Sequence, residues 1–152
     1  MSDTLALTDP SIVVVGLEAP TKDDAIRQLA EKLLAAGRVT DLDGFLVDVR
    51  AREAQMATGL PGGIGIPHAR SLHVTTPSVA VGTSVNGVDF GAHDGPAHRI
   101  FLIAAPDGAD DSHLTILASL ARKLVHESFR QSLRDAGSEA AIAEIIVKEV
   151  QP

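Results

Sequence analysis

The sequence predicts a layered α/β domain with helices on both sides of a sheet. Two apolar runs, at 11–17 and 99–106, have the pattern of strands that are buried on both faces. Amphipathic helical patterns lie before and after the main group of strands. The 152 residues are enough to bury one hydrophobic core, so we expect a single domain over residues 1–152.

Two helices are predicted between the first strand and the remaining strands. The first begins at Thr21 and ends at Gly37, because glycine is a natural stop for a helix. The second begins near Thr40 or Asp41. Arg52 continues the apolar row of this second helix, so we expect its side chain at the margin of the core.

The middle of the chain is predicted to supply the rest of the sheet. Strands are expected at 62–66 and 78–85, with a turn at Asn86-Gly87 before the short stretch VDF. The run at 99–106 is predicted to be a central strand. Three closing helices are predicted. The first begins at Asp110 or Asp111, and the other two span 127–136 and 138–150.

Composition excludes several classes of function. The absence of cysteine excludes disulfides, thiolate catalysis and cysteine-based zinc sites. A net charge of −7 and the absence of Trp and Tyr oppose DNA or RNA as a partner, because nucleic acids are bound by clustered basic residues and stacking rings. The N-terminus lacks a secretory signal pattern, and no apolar stretch approaches the ~20 residues that cross a bilayer. We therefore expect a cytoplasmic location.

The segment GGIGIPHAR, residues 62–70, holds one histidine in a constrained backbone. Pro67 has a fixed φ angle, and the glycines before it let another backbone or a ligand approach closely. This pattern supports two interpretations equally. Either His68 is presented for chemistry, or Pro67 and His68 merely end a strand and a nearby carbonyl satisfies the ring.

A second histidine strengthens the first interpretation. His113 falls in the first turn of a predicted helix, where free N–H groups and the helix dipole favour an anion. Two histidines and an arginine near such a terminus would form an anion-accepting pocket. The remaining histidines, at 73, 93, 98 and 126, are expected to be ordinary surface residues.

Other chemistries have little support in the motifs. No His-x-x-x-His or His-Glu-x-x-His pair is present to bind zinc, and no Gly-x-Ser-x-Gly elbow marks a hydrolase, although a dispersed triad stays open. The glycine-rich stretch at 59–65 lacks the Lys-Ser/Thr of a nucleotide-binding loop. We therefore expect no metal and no cofactor. A metal-binding hydrolase that uses the histidines is retained as an alternative.

Several motifs carry a resemblance to a known family. In chain order they are Arg52-Glu53, Thr58-Gly59, GIGIPHAR, VDF, LIAAP and HLTILASLARKL. Together they resemble the enzyme IIA domain of the bacterial sugar phosphotransferase system, of the fructose and mannitol type. The similarity extends from the first predicted strand to the last predicted helix. It implies a three-layer α/β/α fold with a mixed central sheet.

The resemblance implies a phosphoryl carrier. Such a domain accepts a phosphoryl group from an HPr-type phosphocarrier protein and passes it to a cysteine of a IIB domain or subunit. The family's phosphorylated histidine falls on His68, its second active-site histidine on His113, and its active-site arginine on Arg52. This scheme requires no metal, cofactor or nucleic acid.

The wider role expected from the resemblance is sugar uptake. The stretches VDFGA and LIAAPDGADDSHL favour fructose, and the membrane would be involved only indirectly, through a IIC permease. We also expect Ile64, Ile66 and Pro67 to form a shallow apolar patch on which partners dock. The alternative is a regulatory module, as in nitrogen-related relatives, which controls other proteins through its phosphorylation state.

Overall fold

A computed structural model of the chain describes residues 6–107 and 112–150, without the side chains at 112–114 and 117. A short 3-10 helix at Pro10–Ile12 precedes the first strand. In chain order, the strands and helices are β1 (Val13–Val14), α1 (Lys22–Ala35), α2 (Leu42–Gln55), β2 (Gly59–Leu60), β3 (Ile64–Gly65), β4 (His68–Ser71), β5 (Ser78–Val88), β6 (Ala97–Pro106), α3 (Ser112–Leu124), α4 (Glu127–Asp135) and α5 (Glu139–Glu149).

The sheet within the described residues has six strands and is mixed, as the resemblance implied. Its order is β1-β5-β6-β3-β2, and β4 also pairs with β6. The β5 and β6 strands are antiparallel, whereas β3 and β4 both run parallel to β6, one after the other along the same edge. The prediction that 99–106 forms a central strand is therefore confirmed.

Two apolar clusters, one on each face of the sheet, produce the three layers. Ile100 and Leu102 of β6 pack with α1 and α2, where Phe45 is fully buried. Phe101 and Ile103 belong to the opposite cluster, together with residues of α3, α4 and α5. Each buried Leu, Ile or Phe contributes about 1.5–3 kcal/mol of transfer free energy. The alternation of β6 thus holds helices on both faces, which confirms the predicted α/β/α arrangement.

The first two helices begin where the sequence predicts. The Thr21 side chain accepts a hydrogen bond from Asp24 N–H, and the Asp41 side chain accepts one from Gly44 N–H, so each residue caps a helix N-terminus. Gly37 follows α1 with φ +75°, a conformation in which glycine has no steric penalty. The apolar stripe of α1 is buried as predicted: Ala25, Ile26, Leu29, Ala30 and Leu33.

The predicted first strand, 11–17, is mostly wrong. Asp9 accepts a hydrogen bond from Ser11 N–H and Pro10 lies in the first turn, so this segment begins as a 3-10 helix. Only Val13 and Val14 pair with β5. The β-branched composition did not reveal this cap, because it depends on a side chain just before the run.

The predicted turn at Asn86-Gly87 does not separate two strands. The β5 strand continues to Val88, with a register shift between Thr83 and Val88 against β6. Gly87 has φ +83°, so it allows an irregularity within one strand instead of a hairpin. The closing helices α4 and α5 agree with prediction to within one residue at each end. The predicted caps at Asp110 and Asp111 lie outside the described residues.

Candidate active site

His68 lies at an interruption between two short strands. The β3 strand stops at Gly65, and the chain pairs again with β6 from His68 onward, where His68 is in register with Ile103. Pro67 has no N–H, but its carbonyl accepts a hydrogen bond from Ile103 N–H at 3.0 Å. The predicted strand at 62–66 therefore ends before Pro67, and pairing with β6 begins again as a separate strand, β4.

The ring of His68 is half-buried and held by the backbone just before it. Its Nδ1 lies 2.9 Å from the carbonyl oxygen of Ile66. A carbonyl oxygen can only accept, so Nδ1 carries the proton of the neutral ring and Nε2 carries the lone pair. The carbonyl contact that the second interpretation expected is therefore present, whereas a role of His68 in chemistry stays a prediction.

A buried carboxylate holds the segment that supports His68. Glu53, in the last turn of α2, accepts hydrogen bonds from the N–H of Thr58 at 2.9 Å and from its hydroxyl at 2.8 Å. The Thr58 carbonyl accepts a hydrogen bond from Ile66 N–H at 3.1 Å. Because Ile66 holds the His68 ring, four residues form one continuous chain of hydrogen bonds.

Glu53 also has a cationic partner. Lys22 Nζ lies 3.3 Å from its Oε2, and the Glu53 side chain is only 5% exposed. Glu53 belongs to the Arg52-Glu53 motif, but the motif predicted no role for it. The signal was available, because Glu53 follows Val49 by four residues and so places an acid on the buried row of α2.

Arg52 lies at the margin of the core, as predicted. Its side chain is half-buried, and Nη1 donates to the Met56 carbonyl at 3.1 Å.

The α2 helix packs on β4, and the contacts between them run in opposite chain directions. Near the start of α2, Gly44 adjoins His73, and further along Asp48 Oδ2 accepts a hydrogen bond from Ser71 at 2.6 Å.

The order of these contacts along α2 and β4 locates the end of α2 relative to His68. Moving from Ser71 back to His68 along β4 corresponds to moving from Asp48 toward the C-terminus of α2. The last turn of the helix, which carries Arg52, therefore lies toward the His68 end of β4.

The third predicted site residue cannot be placed in the same way. His113 belongs to α3, which packs on β6, but its side chain lies outside the described part of the structure. Its predicted proximity to His68 stays a prediction.

The remaining histidines have local partners or lie at the surface. His98 Nδ1 is 2.9 Å from the Ser84 carbonyl, His73 Nδ1 is 3.9 Å from Asp41, and His93 and His126 are exposed. Within residues 6–107 and 112–150, no three His, Asp or Glu side chains are grouped so that they could hold a metal ion. In the same ranges, no helix is both long and apolar enough to span a membrane.

The expected apolar docking patch is wrong. Ile64 and Ile66 are 1% and 9% exposed, and Pro67 is buried as well. Both isoleucines belong to the core cluster on the α3 side of the sheet. These residues are therefore part of the buried core beside His68 and offer little surface to a partner.

A family model and several known proteins match this chain. The model described as "Phosphoenolpyruvate-dependent sugar phosphotransferase system, EIIA 2" matches residues 6–149. The chain belongs to this family. This EIIA domain is 39% identical over 141 residues to the PTS system fructose-specific EIIA component of Haloferax volcanii. The match covers 91% of this chain and 92% of that protein.

Another relative of this EIIA domain is much longer. The PTS system fructose-specific EIIABC component of Bacillus subtilis is 38% identical over 135 residues, which are 88% of this chain and 21% of that protein. The chain thus spans about a fifth of that relative's length, but nearly the whole of the Haloferax component.

Solved structures share the fold of this EIIA domain. Nitrogen regulatory protein IIA-Ntr from Neisseria meningitidis has a TM-score of 0.82 at 28% identity, covering 92% of this chain and 96% of that one. Enzyme IIAMTL of Escherichia coli, solved in complex with phosphorylated enzyme IIBMTL, has a TM-score of 0.77 at 25% identity, covering 93% and 99%. Both proteins share the fold, although one is a nitrogen regulatory protein and the other is enzyme IIAMTL.

Proposed function

We propose that this EIIA domain carries a phosphoryl group on Nε2 of His68, accepting it from an HPr-type protein and passing it to a IIB cysteine. The observation that supports this proposal is the 2.9 Å contact between His68 Nδ1 and the Ile66 carbonyl. It fixes the tautomer whose lone pair is on Nε2 and restrains the ring. A positioned nucleophile is the main requirement of phosphoryl transfer, which has a loose transition state.

The two transfers balance as nucleophilic displacements at phosphorus. In the first, the Nε2 lone pair of His68 forms the N–P bond while the bond between phosphorus and the donor breaks, and that electron pair stays with the donor. Nδ1 keeps its proton throughout and donates it in a hydrogen bond to the Ile66 carbonyl. In the second, a thiolate of the IIB partner attacks phosphorus, and the N–P electron pair returns to Nε2. No metal or cofactor is needed for either step.

Arg52 is proposed to stabilise the phosphoryl oxygens. The charge of the transferred group spreads over three oxygens, and a guanidinium supplies both positive charge and several N–H donors. Arg52 is half-buried at the end of α2, toward His68, and one of its nitrogens already bonds the Met56 carbonyl. His113 is proposed to act with it, since the start of α3 also favours an anion.

Glu53 is proposed as a positioning residue that never touches the phosphoryl group. It acts through Thr58 and Ile66, the two residues between it and His68 in the hydrogen-bond chain. The orientation of this half-buried ring would otherwise depend only on the local backbone of the two residues between β3 and β4. The buried carboxylate instead connects these two residues to the end of α2.

The partners and the substrate class are proposed from the relatives. The Escherichia coli relative was solved with a phosphorylated IIB partner, and the Bacillus subtilis relative is named as a single EIIABC component. Both support a IIB domain as the acceptor, with a IIC permease as the indirect link to the membrane. The Haloferax relative is named fructose-specific, so we propose fructose as the sugar and the cytoplasm as the location.

The direct test is phosphoryl uptake from phospho-HPr by the His68→Gln variant. We expect incorporated label to fall to background, because an amide has no nucleophilic ring nitrogen. His73→Gln is the matched control, since His73 is another half-buried histidine close to β4, and it should label like the wild type. Undiminished labelling of His68→Gln would refute the assignment.

A regulatory role is the second candidate, and one observation favours it. The Neisseria neighbour is a nitrogen regulatory protein and has a TM-score of 0.82 with this chain. Transfer to a IIB cysteine distinguishes the two roles. A sugar-uptake carrier passes its label to a fructose-type IIB domain within the time course of its own phosphorylation, whereas a regulator accepts label from phospho-HPr and retains it.

A further inference from the structure

A cleft of about 540 Å³ lies beside the start of β6, on a different part of the sheet from His68. Arg99 lines it, four residues before Ile103, the register partner of His68. Four residues of strand correspond to about 13 Å. The groups relevant to binding are the backbone of Gly62 and the side chains of Thr83, Ser84, His98, Arg99 and Arg134.

Arg99 is the unusual member of this set. Its Nε is buried and has no hydrogen-bond acceptor, and none of the ion pairs among the described residues includes its guanidinium. Burial lowers the pKa of Arg99, and the nearby charge of Arg134 lowers it further. Buried hydrogen-bond donors in folded proteins nearly always have partners, so a buried guanidinium nitrogen without an acceptor requires an explanation. Because no carboxylate in the described ranges pairs with Arg99, its positive charge can interact with a ligand in the cleft.

The surrounding charges add to this excess. Arg134 pairs with Glu127, but Arg130 shares the same carboxylate at 2.9 Å. Arg130 also lies beside Gly62, one of the residues that line the cleft. The other carboxylate here, Asp94, accepts a hydrogen bond from Gly62 N–H at 2.9 Å. Among the described residues, these three arginines and two carboxylates near the cleft leave an excess of positive charge, whereas the whole chain has a net charge of −7.

Neutral donors complete the lining. The hydroxyl oxygen of Thr83 accepts from Gly16 N–H at 3.1 Å, and that of Ser84 accepts from Gly87 N–H at 3.0 Å. Because each hydroxyl uses an oxygen lone pair in these bonds, its own proton is available for an acceptor. Positive charge with hydroxyl donors around a cleft suits an oxyanion.

We propose that this cleft binds a small oxyanion, of the phosphate-ester or dicarboxylate class, through Arg99 and Arg134. The Nη groups of Arg99 would contact the anion, since its Nε is covered. Neither arginine takes part in the proposed transfer at His68. The inference therefore goes beyond that function and does not depend on it.

The test is titration of the whole chain by two-dimensional amide NMR, at fixed ionic strength, with inorganic phosphate, glycerol 3-phosphate and succinate. Saturable shifts are expected at Thr83, Ser84 and His98 with millimolar affinity. Stronger binding of glycerol 3-phosphate assigns the phosphate-ester class, and stronger binding of succinate assigns the dicarboxylate class. Absence of saturable shifts with all three anions would overturn the proposal.

Variants then show which cations hold the anion. Arg134→Gln and Arg99→Gln should each weaken the best ligand about tenfold or more, since charge-assisted bonds to oxyanions are the strong ones. Arg134 is exposed, so its variant tests the proposal without disturbing the core. Arg27→Gln, an exposed arginine paired with Glu31 on α1, is the matched control and should bind like the wild type. Equal affinity in both cleft variants and the control would contradict the proposal.

Discussion

The carboxylate of Glu53 accepts two hydrogen bonds from Thr58, one from the backbone N–H at 2.9 Å and one from the hydroxyl at 2.8 Å. Thr58 in turn holds Ile66 N–H, and the Ile66 carbonyl holds Nδ1 of His68. One buried acid in α2 is thereby linked to the ring proposed to carry the phosphoryl group.

Replacing Glu53 with Gln should destabilise the fold and slow phosphorylation of His68. The amide keeps one acceptor oxygen but offers a donor to a group that already donates, so about 1–3 kcal/mol of unfolding free energy should be lost. Urea unfolding measures the stability, and the initial rate with phospho-HPr measures the function. Glu31→Gln, at an exposed position of α1, is the control and should change neither quantity.

A purely structural role for Glu53 predicts a different result. Nitrogen-15 NMR of the His68 ring reports which nitrogen carries the proton, and this readout does not depend on global stability. If Glu53 positions the ring, the Nδ1–H tautomer should become less dominant in Glu53→Gln while the protein is still fully folded. An unchanged tautomer and an unchanged rate would remove Glu53 from the proposed mechanism.

Arg52→Gln should lower the rate of phosphorylation about 100-fold, as is typical when one donor to a developing oxyanion is removed. The His68 ring should keep its tautomer, because its restraint comes from Ile66. Arg52→Lys should restore part of the rate, since a lysine keeps the charge but lacks the planar fork of donors.

The control for Arg52 lies two residues earlier on the same helix. Arg50 is exposed and forms a 3.6 Å ion pair with Asp23, so Arg50→Gln should leave the transfer rate unchanged. Equal losses in both variants would indicate a general effect of charge on partner docking. That outcome would contradict the specific role of Arg52.

Gly59→Ala should be one of the most damaging single substitutions in the chain. A Cβ atom at Gly59 would lie 2.6 Å from the Phe90 carbonyl oxygen and 2.7 Å from Ala92 N. Both atoms are backbone, so they cannot rotate away, and overpacking costs about 1–3 kcal/mol or more. Thermal unfolding with Gly137→Ala as the control measures this, because a Cβ at Gly137 meets nothing within 4 Å. Similar melting temperatures for the two variants would contradict the tight approach of these segments.

Asp9 should make a small contribution to stability that disappears in acid. The hydrogen bond from the Ser11 hydroxyl, followed by that from Ser11 N–H, lowers the pKa of Asp9 below its ordinary value. A lowered folded-state pKa gives stability that is present above the unfolded value, about 3.9, and is lost as pH falls through the folded value. Urea midpoints between neutral and acidic pH should therefore fall less steeply for Asp9→Asn than for the wild type.

Ser11→Ala is the informative companion, since it removes the hydroxyl but keeps the backbone N–H. Its pH dependence should lie between those of the wild type and Asp9→Asn. Identical slopes for all three proteins would show that the 3-10 cap does not couple to folding.

Local chemistry was sufficient to predict the helices and the central strand. Thr21 and Asp41 cap their helices through their own side chains, and the stripe of α1 is buried at helical spacing. The apolar run of β6 required burial on both faces, so its central place followed directly. His68 was also singled out as a candidate from the sequence, because a proline preceded by glycines constrains the backbone wherever it occurs.

Only the tertiary structure decided what holds the candidate site together. β4 exists because residues beyond Pro67 find partners on β6, and Glu53 acquires its role by meeting Thr58 and Lys22 inside the fold. Arg99 was predicted as part of an ordinary core strand, and its uncompensated charge depends on which acids the fold brings near it. Spacing along the chain determines local conformation, whereas these features depend on contacts between segments far apart in sequence.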